Sequence, residues 1–336
     1  MKVLGVSAGA GVILYPFKEV LIGNYEVRND FKTPDEIQWK LNFGDIPLYR
    51  TEELDHLLKP DIILSQPNCG QYSILAHSRR KKEAYKEDIS LNLFFNSIIL
   101  YKPKFALLEN LPDLLNNIPK DKIKSKFKNY KIKFILGSVS LFGNSQMSRK
   151  RLVMIFIRRD LNIKLKEFRS FKVSELKYSG DLLKDTYPIN VDNGDHYGNI
   201  NENEPDKEIT IYGGKKMKTI DITKEWQNRL KGEKRWYTHK DDEAKFKTAP
   251  GVYRNLIDDY PATARKANRQ FDHNGEMMTP RQLAKIQGIP DSFKIWTDQK
   301  KRLNSINKGR LSVTKAPPYE IGKWFFECLS KINISD

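Results

Sequence analysis

The stretch Asp61-Ile62-Ile63-Leu64-Ser65-Gln66-Pro67-Asn68-Cys69-Gly70-Gln71-Tyr72-Ser73 decides the fold. Its apolar opening, Asp61 to Leu64, reads as a buried strand. A cysteine just past such a strand sits at the carboxyl edge of a sheet, where open α/β sheets bind ligands. Working outward, Val3-Leu4-Gly5-Val6 reads as a first strand and Tyr25-Glu26-Val27 as a second. Phe105 to Leu108, Ile132 to Leu136 and Leu152 to Ile157 read as further strands. Leu91 to Leu100 is apolar at helical spacing. Strands alternating with helices predict a doubly wound, mostly parallel α/β sheet covered on both faces.

The chain has 336 residues, of which 39% are hydrophobic, enough for one large domain or two smaller ones. Its formal net charge of +17 favours a polyanionic partner, most often nucleic acid. The two cysteines, Cys69 and Cys328, argue against a disulfide framework or a thiolate zinc site, and for a reducing compartment. No metal is expected. No apolar run reaches the ~20 residues that span a bilayer. The N-terminus opens into a strand-like run, so no signal peptide is expected.

After about Asp160 the pattern changes. Residues 161 to 258 are polar and weakly periodic, with two basic patches: Gly213 to Lys216, and Arg229 to Lys240 with its Lys234-Arg235-Trp236-Tyr237 core. Regular order returns with Thr279 to Gly288, where Thr279 suits an N-cap, Pro280 the first turn and Gly288 the stop. A last amphipathic helix is expected after Pro317-Pro318, ending near Ile332. The expected organisation is a catalytic and cofactor-binding domain over 1–160, a smaller irregular domain over 161–258, and a C-terminal segment, 259–336, completing the first.

Strand-end Cys69, strand-end Glu109 in Glu109-Asn110-Leu111, and Arg149-Lys150-Arg151 follow in that order. The set resembles the DNA cytosine-C5 methyltransferase family, with its Pro-Cys loop, Glu-Asn-Val element and Arg-x-Arg element. Tyr260-Pro261-Ala262-Thr263 and Arg281 to Phe293 are similar to later elements of the family. Alone, a cysteine after a strand is usually a small buried hydrophobe; the ordered set carries the resemblance. It implies a Rossmann-like methyltransferase fold, S-adenosylmethionine as cofactor, double-stranded DNA as partner, and a target-recognition domain over 161–258.

The chemistry that the resemblance implies explains the residue types. Cytosine C5 is a poor nucleophile. Thiolate attack by Cys69 on C6 places enamine character at C5, which then takes a methyl group from the sulfonium; loss of the C5 proton and of the cysteine restores the ring. A free thiol is only a few per cent ionised at neutral pH, so Arg149 and Arg151 are expected to raise the thiolate fraction. Glu109 is expected to hold N3 and the exocyclic amine, and the first arginine, Arg149, to hold O2. The base must be flipped out of the duplex. The loop carrying Ser73, Arg79, Arg80 and Lys81 suits phosphate contacts, and Arg229, Lys231, Lys234, Arg235, Trp236 and Tyr237 suit backbone and base contacts.

Departures from the family cluster around the cofactor. The first element is Gly5-Val6-Ser7-Ala8-Gly9-Ala10-Gly11-Val12, with Ser7 where an aromatic is usual. Val6, Ser7, Gly9 and Gly11 are the expected cofactor contacts there, with Asp30 accepting from the ribose hydroxyls. Arg50 stands where an acidic residue usually reads adenine, Asn68 replaces the proline before the nucleophile, and Lys315 lies in the C-terminal element. Two added cations near a sulfonium suggest an alternative acidic donor, carboxy-S-adenosylmethionine, giving 5-carboxymethylcytosine. Further alternatives are an inactive DNA-binding relative and an RNA cytosine methyltransferase. A monomer in a prokaryotic or phage-infected cytoplasm, in a restriction system or a phage, is the expected setting.

Overall fold

The computed structural model describes residues 1–27, 33–72, 84–147, 149–169, 176–177, 179–183, 208–210, 216–218, 235–236, 252–254, 261, 270–271, 280–295 and 313–332. Seven strands form the main sheet: β1 (Val3–Val6), β2 (Leu21–Tyr25), β3 (Leu48–Tyr49), β4 (Ile62–Ser65), β5 (Phe105–Asn110), β6 (Tyr130–Ser138) and β7 (Lys150–Arg158). Their order is β3-β2-β1-β4-β5-β7-β6. β1 to β5 pair in parallel, and β7 runs antiparallel to both β5 and β6. The strand order reverses between β1 and β4, which makes a topological switch point of the kind that binds ligands.

Alternation along each central strand builds two cores. Val3, Ile62, Leu64, Phe105, Leu107, Val153 and Ile155 face one side, where Phe17 and the helix Tyr319–Ser330 cover them with Ile321, Trp324 and Phe325. Leu4, Ile63, Ala106, Leu108, Leu152, Met154 and Phe156 face the other, under Leu91, Phe94, Phe95 and Ile98 of α2 (Ile89–Tyr101), which follows α1 (Thr33–Phe43) in the chain. A strand buried on both faces reads as a continuous apolar run, which is why these strands were visible in the sequence. Gly322 lets the C-terminal helix approach closely: a Cβ there would run into the backbone carbonyl of Ile13. β2 starts earlier than expected, because Gly23 and Asn24 weaken its sequence signal.

Two compact units emerge. One comprises Met1–Gly143, Arg149–Val173 and Ala316–Asp336; the other comprises Asn144–Ser148 and Ser174–Lys315. The boundaries expected at 160/161 and 258/259 differ from this division. Residues 259–315, read as part of the catalytic domain, group with the second unit. Buried amides account for it: Gln146 Nε2 donates to Asn144 Oδ1 (3.1 Å) and Gln287 Oε1 (3.2 Å), and Gln287 Nε2 donates to Val313 O (2.7 Å). In the helix Pro280–Ile286, Arg281 donates to Pro290 O (3.2 Å) and Phe293 O (2.9 Å). Gly288, at φ 69°, ends that helix as expected. Also in this unit, Arg235–Trp236 pairs antiparallel with Val252–Arg254, which pairs in parallel with Gln270–Phe271.

Candidate active site

Cys69 follows β4 by four residues and is half-buried, at the start of the tight turn Gly70–Tyr72. The turn is closed by Tyr72 N–H on Cys69 O (3.0 Å). Glu109 is the penultimate residue of β5 and is 2% exposed. Antiparallel pairing sets Glu109 opposite Val153, so Arg151, on the same face of β7, lies diagonally across from it. Arg151 Nε sits 2.8 Å from Glu109 Oε1. Asn110 ties the two strand ends together: its Nδ2 donates to Pro67 O (3.2 Å).

Electrostatics follow from this crowding. Burial raises the Glu109 pKa above the usual carboxylate range, and Arg151, Arg149 and a hydrogen bond from Gln66 pull it partly back. Burial also raises the Cys69 thiol, helped by Glu109 and opposed by Arg151 and Arg149. The two arginines thus act on the thiol in the direction that favours the thiolate, but desolvation outweighs them. Arg149 is wholly enclosed, at 1% exposure, and its Nη2 donates to Ala316 O (2.9 Å). Burial and Arg151 lower its pKa, while Glu109, Cys69 and Glu320 oppose the fall. Gln66 was missed in the sequence, where nothing distinguishes a loop glutamine.

At the switch point, Ser7 takes a left-handed conformation (φ 53°), and its N–H donates to Tyr25 O (2.6 Å). The buried hydroxyls of Ser7 and Ser65 and the Asn24 side-chain oxygen have no hydrogen-bond partner among the described residues. Gly9 (φ 59°) faces open space, whereas a Cβ on Gly11 would strike the Phe43 ring. Glu26, directly after β2, is 5% exposed. Its Oε1 accepts from Gly9 N–H (2.6 Å) and Asn24 Nδ2 (2.8 Å), and burial raises its pKa to about 8. The sequence reading passed over Glu26 as part of a strand. A carboxylate closing the second strand, 17 residues after Gly9 and 15 after Gly11, was the available signal.

Other expected contacts divide. Val6 is in the core, so it offers only backbone. Asn68 turns its Oδ1 to Gly70 N–H (3.0 Å). Arg50 pairs with Glu36 at 3.3 Å and is 45% exposed; Lys315 is exposed. Both cations reach solvent, which weakens the charge argument for an acidic donor. Asp30, Ser73, Arg79, Arg80, Lys81, Arg229, Lys231, Lys234 and Tyr237 lie outside the described residues, as do the side chains of Arg235 and Trp236. Among the described residues, no group of three or more His, Cys, Asp or Glu side chains is placed to hold a metal. Nor is any helix among them long and apolar enough to cross a membrane.

The family model for C-5 cytosine-specific DNA methylase matches residues 1–308. The chain belongs to this family. This DNA cytosine-5 methyltransferase is 25% identical over 321 residues to the Type II methyltransferase M.NgoPII of Neisseria gonorrhoeae, covering 88% of this chain and 86% of the relative. Its fold is shared with a protein described as a DNA modification methyltransferase encoded within an E. coli prophage (TM-score 0.62, 16% identity, 98% of each chain covered). It is shared also with Spodoptera frugiperda DNMT2 (TM-score 0.62, 12% identity, 98% of this chain and 99% of that one). The family depends on S-adenosylmethionine and acts on DNA. The unpartnered hydroxyls of Ser7 and Ser65, the open space at Gly9 and the buried Glu26 fit such a cofactor, offering acceptors and room at the switch point.

Proposed function

We propose that this methyltransferase modifies C5 of a flipped cytosine through covalent addition of Cys69. Its support is the gathering of Cys69, Glu109 and Arg151 at one carboxyl edge, with Arg151 Nε 2.8 Å from Glu109 Oε1. The Cys69 thiol gives its proton to solvent and the thiolate adds to C6, so negative charge builds on N3 and O2; once C5 has taken the methyl group, loss of the C5 proton to solvent and departure of the thiolate restore the ring. Glu109, whose protonated form is favoured by burial, donates toward N3. Arg151, largely buried beside Glu109 but with 17% of its side chain exposed, is the guanidinium that can meet O2, since Arg149 is enclosed and held by Ala316. Arg149 instead supplies fixed positive charge beneath the pair. Bound S-adenosylmethionine supplies the electrophilic methyl group. Glu26 would hold the ribose hydroxyls, the Ser7 and Ser65 hydroxyls would meet its polar groups, and Gly9 would give the backbone room.

Sequence recognition belongs to residues 161–258 in this reading, with Arg229, Lys234, Arg235, Trp236 and Tyr237 at the duplex and Ser73, Arg79, Arg80 and Lys81 on phosphates. The net charge of +17 supports it. Affinity for duplex should fall with salt at a log–log slope of about −0.9 per neutralised phosphate, and a flat response would count against the phosphate contacts.

The test is mass analysis of the Cys69 peptide after incubation with duplex containing 5-fluorocytosine and S-adenosylmethionine. A covalent adduct on Cys69, lost in Cys69→Ser while duplex binding persists, is the expected result. Duplex binding without an adduct in the wild-type protein would instead indicate an inactive relative. Mass of the product nucleoside, with S-adenosylmethionine or its carboxy derivative supplied, distinguishes methyl from carboxymethyl transfer.

A further inference from the structure

The turn that carries Cys69 is tied at both ends to one buried side chain. Asp88, 4% exposed, caps the N-terminus of α2 by accepting Leu91 N–H on Oδ1 (3.0 Å). The same oxygen accepts the Ser90 hydroxyl (2.7 Å), and Ser90 Oγ accepts the N–H of Asn68, the residue before the nucleophile (2.9 Å). The other carboxylate oxygen accepts the Tyr72 hydroxyl (2.7 Å), and Tyr72 N–H closes the turn on Cys69 O (3.0 Å). Asn68 Oδ1 adds a third brace through Gly70 N–H (3.0 Å).

We propose that Asp88, Ser90 and Tyr72 form a positioning hub that holds the Cys69 turn at the geometry needed for attack, replacing the restraint that a proline supplies elsewhere in the family. This deepens the covalent reading above and rests on it. A proline before the nucleophile fixes φ by its ring but has no N–H to give. Asn68 lacks the ring and gives both an N–H and a side-chain oxygen. The anchor is rigid because α2 is pinned to the sheet by Leu91, Phe94, Phe95 and Ile98, each buried. A reacting group held by such an anchor keeps its place, and about 1 Å of misplacement can cost ~100-fold in rate. In this proposal the three side chains act through the Cys69 turn.

The test uses the full chain and single-turnover adduct formation on 5-fluorocytosine duplex with S-adenosylmethionine. Tyr72→Phe and Ser90→Ala each remove one hydroxyl and little else. Each should slow adduct formation per folded molecule by about 10- to 100-fold, with duplex affinity nearly unchanged. Asn68→Pro, which restores the ring restraint, should rescue Ser90→Ala but not Tyr72→Phe. A second readout needs no DNA: the pH profile of Cys69 alkylation, followed by peptide mass. Loosening the turn lets the thiol leave its buried setting, so the profile should shift down toward that of an ordinary cysteine in Tyr72→Phe. Unchanged adduct rates and an unchanged profile would overturn the hub, as would losses that only track the unfolded fraction. Should the wild-type chain form no adduct, the covalent reading fails by itself; the alkylation profile then decides the hub, a shift supporting it and its absence rejecting it.

Discussion

Glu26 and Glu109 are both buried carboxylic acids at the carboxyl edge of one sheet, at the ends of β2 and β5. Glu26 has neutral company, the Gly9 N–H and the Asn24 amide, and Asp35 pushes it further up. Glu109 has two guanidiniums beside it. Desolvation raises both; among the described residues, cations work against the rise at Glu109 and none is recorded doing so at Glu26. Burial sets how costly the charge is; the neighbours decide what the group is for. An acid beside arginines can hand over and recover a proton during a reaction. An acid among neutral donors can wait for a ligand's hydroxyls.

The comparison can be sharpened by removing each partner in turn. Glu109→Gln keeps the shape and loses the proton, so methyl transfer should fall by about 10²- to 10⁴-fold. Single-turnover transfer and duplex affinity measured side by side would reveal a binding role if both dropped together. Arg151→Met leaves Glu109 short of one cation. Breaking a buried pair from one side should lower stability by about 3 kcal/mol. Denaturant titration should show that loss shrinking at acidic pH, where Glu109 is protonated; a loss that did not vary with pH would mean that packing is the cause.

Glu26→Gln should weaken S-adenosylmethionine binding by roughly tenfold, read by calorimetry. It should also change the pH dependence of stability. The folded pKa of Glu26 is raised from 4.5 to about 8, so its protonated form is favoured by folding. That contribution is full below pH 4.5 and is lost as pH rises through about 8. The wild-type chain should lose stability across this window, and the Gln variant should lose less. Parallel curves would mean that Glu26 stays ionised in the fold. The smallest effect is expected from Arg50→Ala, which already has Glu36 and solvent. Affinity for either donor should change by less than about twofold, in line with exposed pairs. A selective loss for the carboxylated donor would restore Arg50 as its reader.

The sequence alone carried the central strands and the family to which the chain belongs. Strands β1, β4, β5 and β7 are buried on both faces, so each had to be a short apolar run, and Cys69 and Glu109 stand at or just beyond the ends of two of them. Local spacing carried that information, because a strand's end is a local event. Tertiary structure decided everything that depends on pairs far apart in the chain. It brought Tyr72 to Asp88 and Asn110 to Pro67, it enclosed Arg149 against Ala316, and it gave Arg50 a carboxylate. It also grouped residues 259–315 with the second unit through buried amides whose partners lie up to 142 positions apart. Desolvation and hydrogen bonding act through space, so pKa values, enclosure and the bracing of the nucleophile are set only once the chain has closed around them.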